Sequence, residues 1–265
     1  KTVSCYEHDE ELTVENVRKY KTLHPRCGTS YLLLVMIVTI LVYYFVFGIA
    51  MRGGAASGDG TPFVLYLVSG IVPWMYFQEG LITGTNSFLE YSYLVKKVVF
   101  DISVLPVVKL LSALVIHLFF VAFAMILFAC YGYYPNIYYL EILYYMICLF
   151  LLILAIVYTT SSVIVFFRDM GQIVSILLQI GVWMTPVMWD LSFLNGYSWG
   201  STVMRILKLN PFYYIVHGYR NAFIEQRWFW EDKLLTVYFW AFLIVCYVFS
   251  TWVFNRLKGH FADVL

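Results

Sequence analysis

The sequence predicts an all-α integral membrane protein with six transmembrane helices, and three observations support this fold class. Of the 265 residues, 62% are hydrophobic and only 12% are charged, whereas soluble domains are about 45–50% apolar and about 25% charged. Runs of about 20 uncharged residues recur, each long enough to cross a hydrocarbon core of about 30 Å. Apolar side chains also lie all round these runs, as expected for helices in lipid.

The six predicted spans divide the chain and set its orientation. They are residues 31–51, 63–83, 107–129, 142–167, 173–189 and 234–254. The fifth is short and ends near Pro186, so we expect it to stop below the far surface. With the N-terminus inside, most basic residues lie on the inner side, and the two short outer loops carry only Arg52. The positive-inside rule therefore predicts that both termini are cytoplasmic.

Three segments outside the spans are also predicted to be helical. Residues 9–24 place apolar side chains at near-helical spacing among charges, which is typical of an amphipathic interface helix; a plain polar leader is the alternative. Residues 86–106 predict a short amphipathic helix, either on the membrane surface or docked to a cytoplasmic partner. Residues 187–233 predict two half-length helices, at about 202–209 and 212–225, that dip into the outer leaflet. Such a hairpin indicates a pathway or gate, because irregular backbone at membrane depth must be covered by protein or line a water-filled cavity.

The predicted domain organisation follows from these segments. It consists of a cytoplasmic N-terminus (1–29), a transmembrane domain (30–254) and a cytoplasmic tail (255–265). The polar first thirty residues predict no cleavable signal peptide, and the numbering begins at Lys1 rather than Met, which leaves preceding native residues an open question. The five cysteines lack the spacing of a disulfide framework or metal site.

The motifs that would make the chain an enzyme or an ion-driven transporter are not found in the sequence. It contains no GxxxxGK[ST] phosphate loop, since the glycine-rich stretch 53–61 lacks the lysine. We therefore expect no ATP hydrolysis by this chain. Intramembrane charge is sparse: Glu79 and Lys109 fall near the inner interface, and His117 alone falls near mid-membrane. A lone histidine is more often hydrogen-bonded packing than a proton relay. A net charge of +1 gives no indication of nucleic-acid binding.

A polar and aromatic stripe follows one face of the fifth predicted span. Its members, which return to one face within about 20°, are Gln172, Ser175, Gln179 and Trp183. Such side chains either hydrogen-bond to neighbouring helices, at about 0.6–2 kcal/mol each, or line a cavity for a polar substrate; a dimer seam bordering a channel would satisfy both. Aromatic residues inside other spans, Tyr44 among them, could stack on sugar rings or face lipid.

Five stretches carry a resemblance to a known family. They are "VYYFVFGIAMRGG", "PFVLYLVSGIVPWMYF", "NSFLEYSYLVKKVVFDISVLP", "FFRDMGQIVSILLQIGVWMTPVMWD" and "ILKLNPFYYIVHGYRNAF". By their order and spacing the sequence resembles the ABC-2-type permeases, the transmembrane subunits that export lipid-linked wall teichoic acid, O-antigen or capsular polysaccharide. The stretches "GIVPWMYF" and "LKLNPFYYIVHGYRNAF" are most similar to teichoic acid exporters. One departure is "LHPRCGTSYLLLVMI" at 23–37, where Gly28 is kept but the family's Leu-Gly-x-x-Trp pattern and proline are replaced.

The resemblance implies a homodimer in the bacterial cytoplasmic membrane, bound to two copies of a separate ABC ATPase. ATP and Mg²⁺ would bind the ATPase, with no cofactor or metal on this chain. The substrate, an undecaprenyl-pyrophosphate-linked polymer, would pass between the two permease subunits.

The resemblance also implies roles for particular residues. Loop 86–103 would be the coupling helix, and the residues at the ATPase contact would be Tyr91, Leu94, Lys96, Lys97, Asp101, Arg168 and Asp169. The translocation path would include Gln172, Ser175, Gln179, Trp183, Tyr44 and Phe47. Segment 190–227 would cap the exit, and the external gate would comprise Trp189, Pro211, Phe212, Tyr213 and Arg220. The entrance for the lipid pyrophosphate would use Arg18, Lys19, Lys21 and Arg26, since juxtamembrane cations attract anionic groups; ordinary topology-setting charge is their alternative role.

Other functions remain open at this point. One is an ABC-2 permease for a small-molecule drug or lipid, which would share the six-span plan. Another, from a different class, is a membrane-embedded glycosyl- or acyltransferase, which would need a carboxylate or histidine constellation at a membrane face. A third is a channel that needs no ATP. The aromatic-rich spans and the polar stripe favour glycans.

Overall fold

The regular structure of the described part of the chain is helical. The computed structural model describes residues 13, 15, 37–42, 44–45, 61–95, 101–191, 194 and 197–264. Its helices are α1 (Phe63–Thr85), α2 (Ser87–Glu90), α3 (Ser92–Val95), α4 (Val104–Cys130), α5 (Leu140–Ile164), α6 (Met170–Met184), α7 (Gly200–Lys208), α8 (Pro211–Arg220), α9 (Lys233–Leu257) and α10 (Phe261–Val264). Single 3₁₀ turns precede α5 and α10, and a π-helical turn, Asn221–Glu225, extends α8. Residues 37–42, within the first predicted span, are also helical.

Three of these helical segments are long and apolar enough to cross a membrane. They are Val104–Cys130, Ile137–Ile164 and Lys233–His260, close to the predicted third, fourth and sixth spans. Helix α6 is apolar but has only 15 residues. Helix α1 has 23 residues, about 34 Å at 1.5 Å per residue, but its last third is more polar. The all-helical membrane character is thus supported, whereas the count of six spans is not.

The fifth predicted span ends earlier than expected. We predicted that it would continue to residue 189, but α6 ends at Met184 and Thr185 is already extended, with φ −97° and ψ 136°. Thr185 precedes Pro186, whose ring disfavours the α-helical conformation of the residue before it. The helix therefore ends two residues before Pro186, near the proline as expected but five residues short of the predicted boundary at 189.

Helix α1 lies at the centre of the fold, in contact with α4, α5, α6 and α8. Small residues let α5 approach it closely: a Cβ on Gly84 would lie 2.7 Å from Val157 Cγ2. Beside this contact, the Thr85 and Thr160 hydroxyls hydrogen-bond at 2.7 Å. Small residues and interhelical hydroxyl bonds are what hold membrane helices together, because lipid tails are as apolar as the side chains.

One end of the bundle, which we call the basal end, consists of 86–91, 101–103, 165–171 and 255–264. A separate small core joins these segments, and its buried members are Phe88, Leu105, Val165, Phe254 and Phe261. The Phe88 and Phe261 rings lie 5.3 Å apart. The C-terminal segment that we predicted as a plain tail therefore packs, through Phe261, against the predicted coupling segment.

The opposite, apical end consists of 131–139, 185–190 and 226–232. The Phe229 N–H donates to Glu141 Oε1 at the start of α5, and the Tyr138 and Trp228 rings lie 5.1 Å apart. The half-length helices α7 and α8 occur close to their predicted positions and lead to this end. The chain thus passes from α6 to α9 through two short helices rather than a span.

Gly218→Ala tests the packing of α8 against α5. A Cβ at Gly218 would overlap the buried Tyr145 ring, and overpacking of this kind costs about 1–3 kcal/mol. We expect a lower melting temperature in detergent. Gly259→Ala is the matched control, because a Cβ there would meet nothing within 4 Å. Equal melting temperatures for the two variants would show that this close approach is absent.

Candidate functional site

A groove of about 640 Å³ lies between α1, α6 and the helical residues at 37–42. Helix α1 contributes Trp74 and Gln78 to its lining, and α6 contributes Ser175, Gln179 and Trp183. The Trp74 Nε1–H donates to Gln78 Oε1 at 3.2 Å, which fixes the indole against the amide one turn away. The groove thus combines indole faces, amides and a hydroxyl, with apolar side chains between them.

Three of the six predicted path residues share this groove. Ser175, Gln179 and Trp183 line it, whereas Gln172 is exposed in the first turn of α6 and Tyr44 packs, half-buried, against the main core. Phe47 lies outside the described residues. The Ser175 hydroxyl donates to the Gly171 carbonyl at 2.9 Å, so its hydrogen is used within α6.

Sequence analysis missed the opposite wall of the groove. Trp74 and Gln78 are four residues apart in α1, which places them on one face of that helix. That spacing was visible in the sequence. Nothing in it showed that this face would lie opposite the stripe on α6.

The outward face of α6 is left open by the rest of the described chain. Only Val174 and Leu178 of this helix are buried. Ile176, Leu177 and Ile180 are at least half exposed. A helix this apolar must contact lipid or a further protein surface, and the groove opens beside it.

A buried cation holds the apical end of the groove. Arg220 of α8 is only 6% exposed, and its Nη2 donates to the Val187 carbonyl at 2.9 Å. The guanidinium lies over the Tyr66 ring, 3.7 Å from the centroid, at the start of α1. Gly70 makes room, since a Cβ there would lie 2.5 Å from the Val187 oxygen. We call this arrangement of Tyr66, Gly70, Val187 and Arg220 the apical clamp.

Further predicted gate residues tie α8 to the groove. The Phe212 ring packs edge-on against Trp74 at 5.2 Å. Pro211 is at the first position of α8, where the missing N–H costs nothing, and Asn210 caps the helix by accepting from Phe212 N–H at 3.0 Å. Trp189 Nε1 donates to the Trp183 carbonyl at 3.1 Å. The structure thus brings these side chains to the same end as the clamp.

The remaining gate residue, Tyr213, is buried and its ring stacks on His217 at 5.6 Å. His217 Nε2 in turn lies 3.0 Å from Asp232 Oδ2. This hydrogen bond holds the pKa of the Asp232 carboxyl below its usual range. Asp232 immediately precedes α9, so the contact joins α8 to the start of the last long helix.

The predicted ATPase-contact residues lie at the basal end where they are described. Lys109 pairs with Glu90 and lies over the Tyr91 ring, 4.9 Å from its centroid. Asp101 accepts from the Ser103 N–H and hydroxyl, which lowers the pKa of its carboxyl.

Some of the other predicted contact and entrance residues are described and others are not. Arg168 and Asp169 are exposed in the turn between α5 and α6, and Leu94 belongs to the one-turn helix α3. The remaining predicted residues lie outside the described part of the chain: Lys96, Lys97, Arg18, Lys19, Lys21 and Arg26.

Substituting Arg220 tests the apical clamp. Arg220→Ala removes a buried charge-assisted hydrogen bond and a cation–π contact, which together contribute about 2–5 kcal/mol. We expect a clearly lower melting temperature, and a smaller loss for Arg220→Lys, which keeps the charge but not the planar stacking group. The control Arg227→Ala should change little, because that side chain is 60% exposed. If all three variants melt like the parent protein, the clamp does not hold α8.

Known proteins resemble most of this chain. Two proteins described as "O-antigen export system permease protein RfbA", from Klebsiella pneumoniae, are 23% and 24% identical to it over 229 residues, which is 85% of this chain and 82% of each relative. A protein of the same description from Myxococcus xanthus is 27% identical over 226 residues, 84% of this chain and 82% of that protein.

The N-terminal segment matches a different family. Residues 1–56 match the family described as "Protein of unknown function (DUF1385)". The "Uncharacterized protein YqhQ" of Bacillus subtilis is 46% identical over 46 residues, which is 17% of this chain and 14% of that protein. The departure at 23–37 falls within the segment matched by this second family.

The O-antigen export permeases align with this chain over more than four-fifths of its length, and the described part of the chain contains three helices long and apolar enough to cross a membrane. The similarity supports an ABC-2-type permease, a transport subunit of the inner membrane rather than an enzyme.

Proposed function

We propose that this chain is the transmembrane subunit of an ABC exporter that moves a lipid-linked cell-surface polymer across the bacterial cytoplasmic membrane. The observation that carries the proposal is the polar and aromatic groove between α1 and α6, in a chain similar to O-antigen export permeases. An O-antigen, capsular polysaccharide or wall teichoic acid, linked to undecaprenyl pyrophosphate, is the proposed substrate.

The chemistry of the groove favours a glycan. The faces of Trp74 and Trp183 offer apolar planes on which the C–H faces of sugar rings stack. The amides of Gln78 and Gln179 can donate to and accept from sugar hydroxyls. The lining side chains in the described part of the chain carry no formal charge, so the groove can contact successive neutral sugars without holding any one of them tightly. A translocation path needs this kind of weak, repeated contact.

A second copy of the chain would complete the path. The groove lies beside the exposed face of α6, which also carries the exposed amides of Gln172 and Gln179, and polar side chains of this kind hydrogen-bond between membrane helices. Two copies meeting along α6 would bury this face and bring two grooves to one seam. We therefore propose a homodimer with the polymer passing along the seam. In this arrangement the stripe on α6 serves both as helix contact and as path lining.

The energy for transport would come from a separate ABC ATPase, present in two copies. ATP and Mg²⁺ would bind there, and this chain would hold no cofactor. We propose that the basal end is cytoplasmic, as are both termini, and that Tyr91, Asp101 and the turn at Arg168 and Asp169 meet the ATPase. The core formed by Phe88, Phe261 and their neighbours would support that contact surface.

The N-terminal cations would serve at the entrance. Arg18, Lys19, Lys21 and Arg26 could receive a pyrophosphate, each contributing about 1 kcal/mol near an anionic surface. They fall in the segment that matches a different family. The entrance of this chain would then differ in amino-acid composition from that of the O-antigen permeases.

Alanine substitutions in the stripe test the path. Trp183→Ala and Gln179→Ala should each lower polymer export about two- to tenfold, since one aromatic or polar contact contributes roughly 0.5–1.5 kcal/mol. Export is measured as surface polymer in cells whose own permease has been deleted. Ile180→Ala, on the same helix but not lining the groove, is the matched control. Normal export together with weaker cross-linking of two copies would show that the stripe is only a helix contact.

Charge reversal tests the ATPase contact. Lys96→Glu with Lys97→Glu should reduce copurification of the ATPase and abolish export, while the melting temperature of the permease stays unchanged. Charge reversal at Arg227, an exposed cation of the apical end, should leave both intact. Full copurification and export in the double variant would remove loop 86–103 from the interface. The isolated permease should show no ATPase activity.

A further inference from the structure

A second groove lies at the apical end, between the last turn of α7 and the first turns of α9. It is an open surface groove of about 1040 Å³, and ligand pockets are about 300–1,000 Å³. No residue that lines it also lines the groove between α1 and α6. Its wall is apolar, and its charged lining residues are Arg205, Lys208, Glu231, Asp232 and Lys233.

The two carboxylates of this groove are already hydrogen-bonded within the neighbouring loop. Glu231 Oε1 accepts from the Trp228 N–H at 3.1 Å, and Asp232 Oδ2 bonds His217 at 3.0 Å. The three cations are different. Arg205, Lys208 and Lys233 are exposed, and in the described ranges no carboxylate lies within ion-pair distance of any of them. The carboxylates keep their negative charge, so the five charged lining residues have a net charge of +1, and the three exposed cations are the groups left available to a ligand.

The apolar wall is continuous with the lipid-facing surface of α9. Leu234 is 86% exposed and Val237 is 69% exposed, and both belong to the first turns of a helix that is long and apolar enough to span the membrane. The groove therefore begins where a headgroup region would meet the hydrocarbon. Arginine and lysine side chains at this level can form charge-assisted hydrogen bonds with a lipid phosphate.

Hydrogen bonds join the segments that border the groove. The Tyr238 hydroxyl of α9 donates to the Leu209 carbonyl at 2.6 Å, directly after α7. Asn210 Nδ2 donates to Thr185 Oγ1 at 2.7 Å, which connects the same turn to the end of α6. These bonds connect α7, which carries two of the cations, to α9, which carries the apolar wall.

We propose that this groove binds an anionic phospholipid of the bilayer, with the phosphate against Arg205, Lys208 and Lys233 and an acyl chain along Leu234 and Val237. This inference concerns a resident membrane lipid and does not depend on the exported polymer. The lipid would join α7 to α9 and thereby stabilise the short apical helices. Charge without the apolar wall would attract any anion, and the wall without the charge would accept any lipid; the combination selects anionic lipid.

The test measures lipid retained by the full-length protein. The chain is purified in a neutral detergent, exposed to equal amounts of phosphatidylglycerol and phosphatidylcholine, and examined by native mass spectrometry and thermal melting. We expect preferential retention of phosphatidylglycerol and a rise in melting temperature with that lipid alone. Neutralising the cations, in Arg205→Gln with Lys208→Gln or in Lys233→Gln, should lower retention about fivefold for each charge removed.

Three further samples decide the result. Arg227→Gln removes an apical cation outside the groove and should retain phosphatidylglycerol fully. Val237→Trp fills the apolar part and should lower retention with every cation intact. Inorganic phosphate should not raise the melting temperature. Equal retention of the two lipids by the parent protein would overturn the proposal, as would an equal loss in Arg227→Gln or an equal stabilisation by inorganic phosphate. Unchanged melting in phosphatidylcholine confirms that the variants fold.

Discussion

A buried guanidinium determines how the apical segments of this chain meet. Burying a cation costs several kcal/mol unless other groups replace its water. Here the Tyr66 ring and the Val187 carbonyl supply that replacement for Arg220. The groups come from three separate segments, so the charge is compensated only when α8, α1 and the residues after α6 lie in their present arrangement. A misplaced α8 would leave the charge in an apolar environment, and this cost makes the arrangement specific.

The groove depends on the apical clamp through α8. Phe212 and Arg220 are eight residues apart in that helix, about two turns. Arg220 fixes one end of α8 against α1, and Phe212 packs against Trp74 and Phe77 of the same helix. Trp74 thus lines the groove and also packs against α8. A change in the position of α8 cannot leave the groove unaltered, because close-packed side chains transmit displacement.

Local sequence pattern predicted the helices well and their partners poorly. Hydropathy located α4, α5 and α9 to within a few residues, because the need to satisfy backbone groups in lipid leaves little choice but a helix. Helical spacing placed Ser175, Gln179 and Trp183 on one face, as the structure shows. The opposite wall, the apical clamp and the packing of Phe261 on Phe88 were not predicted. Each joins residues at least 33 positions apart, and their pairing follows from the packing of the whole bundle rather than from any local period.

Helix α1 connects the two ends, and its backbone hydrogen-bond ladder is interrupted beside the groove, at Pro73. Towards the basal end, Gly80 and Gly84 bring it into close contact with α5. At the apical end the clamp holds it at Gly70. Between these two contacts lies Pro73, which has no N–H and cannot donate a hydrogen bond to the Ser69 carbonyl one turn earlier. A proline inside a helix weakens the hydrogen-bonded ladder there, so bending of α1 would be concentrated at this point. The next residue is Trp74. Bending of α1 at Pro73 would therefore displace the aromatic wall of the groove before any other part of its lining on this helix.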